Sequence, residues 1–509
     1  MAVNQVKAGA ALNYVIIGLN ILTGLLYTPF MLRCLGQNEY GLYSLVASVI
    51  TYLTLLDFGF GSAIVRYTAK IRATGTKEEE WSLYGMFLSS YAVLGTLVTI
   101  GGIILYFNTD RLFDRTMTPD ELVQARTMMA LMVFNLAVTF PFSIFGSIIS
   151  AYEKFVFQRI LSISRILLST GVLIAVLLLG YKAIGLVVVQ TIFSIGTLLA
   201  NVLYCRFKLK IHIVFRDFNF LLLKEIMIFS FWNFLGAIVD RIYWSSGQFI
   251  IGMYGGTAMV AVYSLAIMLM NLYMSMSTSF NSVLLPRLTA MATKEENDKE
   301  ISNIFIKTGR LQFCILALIL SGFIVLGKQF ITLWAGVDYH ETYIITLIFF
   351  ITLLCPLIQN VGITILLARG QQKFRSLTYL AIAIVCLGAE VLLTKKLGAI
   401  GCAIAVGLTL LLGQWLTMNI YYKVRQRLDI LKFWKEIIKM AIMPCIMAVG
   451  GYLLINRLSI NNWLTFTIVG IIFVAIYLPL FYKFSMNAYE RQTIMNPLIK
   501  VFRKVCHTS

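Results

Sequence analysis

The chain alternates between long apolar stretches and short polar connections. Residues 11–32 and 83–107 carry no charged side chain. A helix of about 20 apolar residues crosses the hydrocarbon core of a bilayer, where backbone groups must be hydrogen-bonded within the protein. Such continuous runs predict membrane-spanning helices, because strands of a membrane barrel alternate over about 10 residues. We predict spans at roughly 9–32, 41–65, 83–107, 127–150, 160–180, 184–204, 226–253, 257–285, 311–335, 343–368, 376–394, 399–422, 437–455 and 463–483.

Composition supports this prediction. Of 509 residues, 59% are hydrophobic and 13% are charged, and the mean hydropathy is +0.84. Soluble proteins have about 45–50% apolar and about 25% charged residues. The first stretch has no cleavage signal and is interpreted as a retained span. The sequence therefore predicts an all-α integral membrane protein with about 14 transmembrane helices.

The positive charge is distributed unevenly between the two sides of the predicted spans. The net charge is +19, and most of the 42 Lys and Arg residues fall in alternate connections. Since cytoplasmic connections carry the excess of Lys and Arg, this pattern places both termini in the cytoplasm. A nucleic-acid-binding protein would cluster its basic residues on a soluble face, so nucleic acid is not expected as a partner.

The two halves of the chain resemble each other at an offset of about 215–221 residues. Residues 43–45 and 263–265 both read Tyr-Ser-Leu, and residues 62–69 are echoed by 282–290. The offset covers six spans, so the halves have the same topology, as in many secondary transporters. We therefore predict two six-helix bundles plus two extra C-terminal helices. The predicted domains are 1–204 (N-terminal bundle), 205–225 (cytoplasmic linker), 226–422 (C-terminal bundle) and 423–509 (extra helices and basic cytoplasmic tail).

Charged residues within the spans are the best functional candidates, because each costs roughly 3 kcal/mol or more in hydrocarbon. Asp240 and Arg241 lie near the middle of the seventh span. The functional hypothesis is a wet cavity in which Arg241 binds phosphate and Asp240 binds a cation or proton. The alternative is an ion pair between helices that only holds the bundle together.

Three further charges within spans leave alternatives open. Arg165 could bind phosphate with its planar guanidinium or extend to the cytoplasmic headgroups. Asp57 precedes Gly59 and Gly61, two glycines that could loosen the second span. Glu390 is near the outer end of its span, where solvation at the interface is the favoured explanation.

Prolines inside helices remove a hydrogen bond and should bend the spans that contain them; these are Pro29, Pro141 and Pro356.

No catalytic or metal-binding signature is found in the sequence. The segment from Gly322 to Lys328 resembles a P-loop, but Gln329 replaces the Ser or Thr that contacts magnesium, and the segment lies inside a span. No Cys or His spacing is typical of a metal site. We therefore predict no enzymatic activity and no cofactor, and H+ or Na+ are the candidate coupling ions.

Several sequence stretches resemble the polysaccharide-biosynthesis flippases, which transport O-antigen and exopolysaccharide repeat units and belong to the superfamily of multidrug and toxic compound extrusion transporters. The similarity lies in residues 29–33, LGQNEYGLYSL (35–45), LLDFGFGSAIVRY (55–67) and FSFWNFLGAIVDR (229–241). The resemblance implies a V-shaped pair of helical bundles, alternating access, and an undecaprenyl-pyrophosphate-linked oligosaccharide as cargo. It also implies location in the bacterial inner membrane, contact with membrane lipids, and a polysaccharide polymerase and a chain-length regulator as candidate partners.

The charged residues and prolines of the spans are the candidates for the roles that such transport requires. Those for substrate binding are Arg241, Arg165, Arg33 and Arg66; those for ion coupling or gating are Asp240, Asp57 and Glu390; and those for hinges are Pro29, Pro141 and Pro356. A cation-coupled multidrug antiporter and a lipid II flippase remain alternatives within the superfamily. A membrane-embedded glycosyltransferase or polymerase is disfavoured, because those enzymes usually need a large outer loop or an acidic catalytic motif.

Overall fold

The structure, a computed structural model, describes residues 5–216, 218, 220–278, 291, 298–369, 371–455 and 460–492. Within these ranges the secondary structure is helical, and no β-strand occurs. The helices are α1 (Gln5–Leu53), α2 (Phe60–Thr74), α3 (Lys77–Phe113), α4 (Pro119–Ala151), α5 (Phe155–Leu178), α6 (Ala183–Phe207), α7 (Phe220–Thr278), α8 (Asp298–Trp334), α9 (Glu341–Ile358), α10 (Asn360–Ala368), α11 (Gln372–Leu410), α12 (Asn419–Val424), α13 (Ile430–Ile455) and α14 (Trp463–Phe484). The predicted repeat segment 282–290 lies outside the described residues.

Eleven helical segments of the described chain are long and apolar enough to cross a membrane. Three of them contain a sharp corner and are long enough for two crossings: Ala8–Thr74 with 67 residues, Phe234–Ser277 with 44 and Phe374–Val424 with 51. Dividing these three in two gives the 14 predicted spans. The all-α membrane fold predicted from the hydrophobic pattern is thereby confirmed.

Glycines make these three corners. The backbone leaves the helical region at Gly36 (φ 78°, ψ 172°), Gly256 (φ 79°, ψ 179°) and Gly398 (φ 58°, ψ −141°). Positive φ is readily adopted only by glycine, so a change of helix direction can occur there without a loop. Gly36 and Gly256 are 220 residues apart and have nearly the same conformation. The repeat seen in the sequence is therefore present in the backbone as well.

The chain divides into two compact units. Unit one comprises Met1–Ser264 and Cys386–Cys402, and unit two comprises Leu265–Val385 and Ala403–Ser509. In unit one α3 packs on α4, α4 on α6 and α1 on α5. Its core contains large aromatic side chains that are almost inaccessible to solvent: Phe60, Tyr67, Tyr84, Phe87 and Tyr91.

Unit two is organised around α8, which packs on α9, α13 and α14. Arg310 of α8 is 4% exposed and forms ion pairs with Glu436 of α13, at 2.6 Å, and with Glu490, which follows α14. Glu490 is itself 0% exposed and accepts a second hydrogen bond from Arg310 at 2.9 Å. This buried ionic cluster attaches α13 and α14, the two helices outside the repeat, to the second bundle.

The three candidate hinge prolines lie in different helical contexts. The helix continues through Pro29 in α1 and Pro141 in α4. Pro356 lies near the end of α9, and the chain resumes as α10 only at Asn360. The hydrogen bond that Pro356 lacks would run to the preceding turn of α9, so the proline does not by itself account for the interruption that follows it.

Candidate functional site

The second predicted span is interrupted in its middle. A 3-10 turn at Thr54–Asp57 follows α1, and both Phe58 (φ 50°) and Gly59 (φ 72°) are left-handed before α2 begins. A non-glycine residue in this conformation is strained, and such strain is concentrated at functional sites. Of the two glycines that the sequence suggested could loosen this helix, Gly59 lies at the interruption, whereas Gly61 is helical inside α2. Interrupted helices at membrane depth occur where the backbone lines a cavity or is buried in protein.

Asp57 is held at this interruption. The hydroxyl of Tyr91, on α3, donates a hydrogen bond of 2.8 Å to Asp57 Oδ1, and Tyr91 is 0% exposed. Asp57 is half-buried. The ring of Phe58 lies 4.4 Å from that of Phe234 on α7. The interruption therefore lies against α7, the helix that carries Asp240 and Arg241.

Helix α7 runs beside the second half of α1. The ring of Tyr52 packs edge-to-face on Phe249 at 6.4 Å, and the Tyr52 hydroxyl interacts with both Arg241 and Glu390. Arg241 is half-buried, between this contact and the Phe58 ring pair. The guanidinium of Arg241 is a planar group with five N–H donors.

Glu390, on α11, is the most buried of the candidate charges. It is 0% exposed, and its Oε2 accepts a hydrogen bond of 2.6 Å from Ser246 of α7. Its other oxygen, Oε1, accepts no hydrogen bond from the part of the chain that the structure describes. The expectation that the membrane interface solvates Glu390 is wrong, because the chain turns back at Gly398 and packs this segment against α7.

The groups around Glu390 are neutral or weakly polar. The Cys386 thiol lies beside the carboxylate, and Tyr263 and Cys402 are within electrostatic reach. We call Tyr52, Arg241, Ser246 and Glu390 the central polar cluster. Its members come from α1, α7 and α11, and all belong to unit one.

The other predicted residues lie outside this cluster. Asp240 is exposed on α7 next to Arg241. Arg165 is exposed on α5 and makes no ion pair or hydrogen bond with the described residues. Arg33 is exposed close to the Gly36 corner, and Arg66 is exposed on α2, 5.7 Å from the ring centre of Tyr67. Arg241 and Glu390 therefore share Tyr52 as an electrostatic neighbour, and Asp57 lies on a neighbouring element.

Three residues of the site were not predicted from the sequence. Tyr52, Tyr91 and Ser246 are neutral and sit in otherwise apolar helices. Hydroxyl groups are common in membrane helices, where they bond to the backbone of the preceding turn, and so they carry little signal. Only the contacts of Tyr91 with Asp57 and of Ser246 with Glu390 distinguish them.

The central polar cluster contains one group suited to an anion and one suited to a cation or a proton. Arg241 offers a planar fork of donors that matches phosphate oxygens. Glu390 has one free carboxylate oxygen and can take up a proton or a cation. The described residues contain no group of three or more His, Cys, Asp or Glu side chains that could hold a metal ion.

Comparison with models of protein families identifies the family of this chain. Residues 6–292, more than half of its length, match the model of the polysaccharide biosynthesis protein family. The chain belongs to this family. The resemblance to the polysaccharide-biosynthesis family that the sequence indicated is confirmed.

Individual relatives are distant. The chain is 21% identical over 328 residues to the uncharacterized membrane protein EpsK of Bacillus subtilis (strain 168), and the match covers 63% of each chain. It thus spans less than two thirds of the length of this relative.

Two solved structures have a similar fold. The lipid II flippase MurJ, in an inward closed conformation, matches with a TM-score of 0.70 at 16% identity, over 93% of this chain and 98% of that one. An inward-facing multidrug resistance transporter of the MATE family, in the MOP superfamily, matches with a TM-score of 0.66 at 14% identity, over 82% and 95%. At these identities the similarity establishes the fold alone, which is that of the MOP transporters.

Proposed function

We propose that this protein translocates an undecaprenyl-pyrophosphate-linked oligosaccharide from the cytoplasmic to the outer leaflet of the bacterial inner membrane, for surface polysaccharide synthesis. Membership of the polysaccharide biosynthesis family supports the cargo class. The observation that carries the proposal is the central polar cluster, because charged groups are kept inside a membrane protein at a cost. A membrane protein that served only as an anchor for an enzyme would not need charged groups in its interior.

In this proposal Arg241 binds the pyrophosphate of the cargo. The residue is half-buried beside Tyr52, and it lies on α7 next to the interruption of the second span. Two oxygens of a phosphate group can each accept one of two parallel hydrogen bonds from a guanidinium group, so the headgroup would be held while the sugar occupies the wet space. Arg165, Arg33 and Arg66 are exposed on other elements and would contact the headgroup during entry or exit.

Glu390 is the proposed coupling residue. A carboxylate that is 0% exposed and has one oxygen without a hydrogen bond is unfavourable as a free anion, so it would be occupied by H+ or Na+. Because Tyr52 interacts with both Glu390 and Arg241, occupancy of the carboxylate would change the electrostatic field at the phosphate site. Asp240 and Asp57 remain candidates for gating.

The test compares variants of Arg241 in cells that depend on this gene. Arg241→Ala should strongly reduce surface polysaccharide without lowering the amount of protein in the membrane, and Arg241→Lys should retain part of the activity because the charge remains. Arg115→Ala removes an exposed arginine of the α3–α4 connection and serves as the matched control. Normal polysaccharide in Arg241→Ala cells would defeat the assignment.

Deletion of the gene separates this function from the alternatives. A flippase for polysaccharide units predicts that lipid-linked repeat units accumulate in the inner leaflet. Sensitivity to cationic drugs with normal polysaccharide would indicate a multidrug antiporter, and arrested peptidoglycan synthesis would indicate a lipid II flippase. Pull-down of a polymerase or a chain-length regulator with the membrane-extracted protein would test the proposed partners.

A further inference from the structure

The chain between α6 and α7 packs on the start of α3. We call residues 208–216, which follow α6, the strap. The amide of Val214 donates a hydrogen bond of 3.2 Å to the carbonyl of Trp81, near the start of α3. The hydroxyl of Ser82 donates to the carbonyl of Arg216 at 2.7 Å. The strap is therefore tied to α3 at two successive residues of that helix.

Gly85 allows the strap to lie against α3. A Cβ on Gly85 would lie 2.0 Å from the carbonyl oxygen of Val214, far inside van der Waals contact. Two backbones approach this closely only where a residue has no side chain. The rings of Trp81 and His212 pack edge-to-face with their centroids 4.9 Å apart, and Ile211 is only 8% exposed. The strap is thus a packed element of unit one.

The strap leads into α7, the helix that carries Arg241. A cavity of about 720 Å³ is lined by Leu222 of α7, Ile71 of α2 and Met86 of α3, so packing of α7 on these two helices is incomplete at its start. A hydrogen bond of 3.1 Å from the Tyr67 hydroxyl to Glu225 Oε1 crosses from α2 to α7. Because apolar packing is interrupted here, the strap and this bond contribute to holding the start of α7.

The start of α7 and Arg241 lie on opposite sides of one firm contact. The ring of Phe234 lies 4.4 Å from that of Phe58, at the interruption of the second span. At 1.5 Å per residue, Glu225 lies about 14 Å before this contact and Arg241 about 10 Å beyond it. Since a helix moves as a stiff rod over such lengths, a displacement of its start tilts the segment that carries Arg241.

We propose that the strap is a positioning device, which holds the start of α7 on α3 and thereby keeps Arg241 in place to bind a pyrophosphate group. The role of Arg241 rests on the proposed function, whereas the attachment of α7 by the strap does not. Gly85 and Ser82 are the positioning residues and act on the cargo only through α7. Release of the strap therefore weakens pyrophosphate binding although every charge of the site is kept.

Hydrogen exchange of the purified full-length protein, followed by mass spectrometry, tests the attachment without any cargo. Gly85→Val places a side chain against the Val214 carbonyl and should raise amide exchange about tenfold or more in both the strap and residues 220–228 of α7. The control is Gly196→Val on α6, where no atom lies within 4 Å of a new Cβ. Faster exchange in the strap with unchanged exchange in residues 220–228 would overturn the proposal.

A milder variant keeps this test readable if Gly85→Val does not fold. Ser82→Ala removes the hydrogen bond to the Arg216 carbonyl and adds no bulk. It should raise exchange in the same two segments, by a smaller factor than Gly85→Val. A change in the strap alone would again contradict the positioning role.

Binding of inorganic pyrophosphate, measured by calorimetry, tests the consequence for Arg241. Wild type and Gly196→Val should bind alike, Gly85→Val should bind about tenfold more weakly because its guanidinium is misplaced, and Arg241→Ala gives the reference for a lost site. Wild-type affinity in Gly85→Val with a released strap would refute the positioning of Arg241. If wild type binds no better than Arg241→Ala while exchange changes as expected, the proposed function of Arg241 fails and the attachment of α7 by the strap stands.

Discussion

The hydroxyl of Ser246 on α7 donates a hydrogen bond of 2.6 Å to the carboxylate of Glu390 on α11. The two residues are 144 positions apart. This bond joins the helix that carries Arg241 to the segment that returns at Gly398. It makes Glu390 part of the same polar cluster as Arg241, and it is the basis of the first prediction.

Replacing Glu390 should separate its structural role from its coupling role. Glu390→Gln keeps an acceptor for Ser246 and should leave thermal stability nearly unchanged, but it should abolish the dependence of translocation on an imposed H+ or Na+ gradient. Glu390→Leu removes this hydrogen bond, although the Ser246 hydroxyl keeps the carbonyl of Ile242 as an acceptor, and should destabilise the protein by about 0.5–1.5 kcal/mol.

Reconstituted vesicles with a labelled lipid-linked oligosaccharide provide the measurement. Rates are compared with and without each ion gradient, and stability is followed by thermal unfolding in detergent. Retention of a full gradient effect in Glu390→Gln would remove this residue from the coupling mechanism. Ser246→Ala is the control, because it removes the hydroxyl but leaves the carboxylate.

At the interruption of the second span we predict opposite effects on stability when two nearby glycines, Gly59 and Gly61, are replaced by alanine. Gly59 has φ 72°, so Gly59→Ala should cost about 1–2 kcal/mol of folding free energy. Gly61 lies inside α2, and a Cβ there would meet only the Ser147 hydroxyl, at 3.5 Å. Gly61→Ala should therefore be neutral or stabilise the protein by up to about 0.5–1 kcal/mol.

Thermal unfolding of the two purified variants checks the sign of each change. Translocation should also fall in Gly59→Ala, since the helix would tend to continue through the interruption. Equal stability of the two variants would mean that the left-handed conformation at Gly59 is not maintained in the membrane.

The ionic cluster of unit two should control the attachment of the last two helices. Arg310→Ala leaves the buried carboxylate of Glu490 without its counter-ion and should cost about 3–5 kcal/mol. Lys483→Ala, an exposed basic residue at the end of α14, should have little effect.

Limited proteolysis between α12 and α13 reports the detachment directly. Faster cleavage of Arg310→Ala than of Lys483→Ala is expected, and the double variant Arg310→Ala with Glu490→Gln should recover part of the stability because the unpaired charge is gone. Wild-type resistance in Arg310→Ala would show that apolar packing alone holds α13 and α14.

The sequence by itself determined the membrane fold and the repeat. A bilayer requires about 20 apolar residues for each helix and internal hydrogen bonds throughout, so the spans are encoded locally. The loosening of the second span was also visible in part, because Gly59 lies two residues after Asp57; Gly61, the second glycine of the prediction, is helical. The domain boundaries and the roles of the candidate residues stay predictions.

The tertiary structure alone decided which candidates meet. Glu390 was placed at the membrane interface because hydropathy records position along one helix and nothing about its neighbours. Its burial depends on the return of the chain at Gly398 and on Ser246, which is 144 positions away. The close approach of Gly41 to Thr257, where a Cβ on the glycine would lie 1.8 Å from the carbonyl oxygen, was equally hidden, since a glycine in an apolar helix gives no sign of the backbone that packs against it. Long-range packing of this kind is set by the shapes of whole helices, and no local pattern records it.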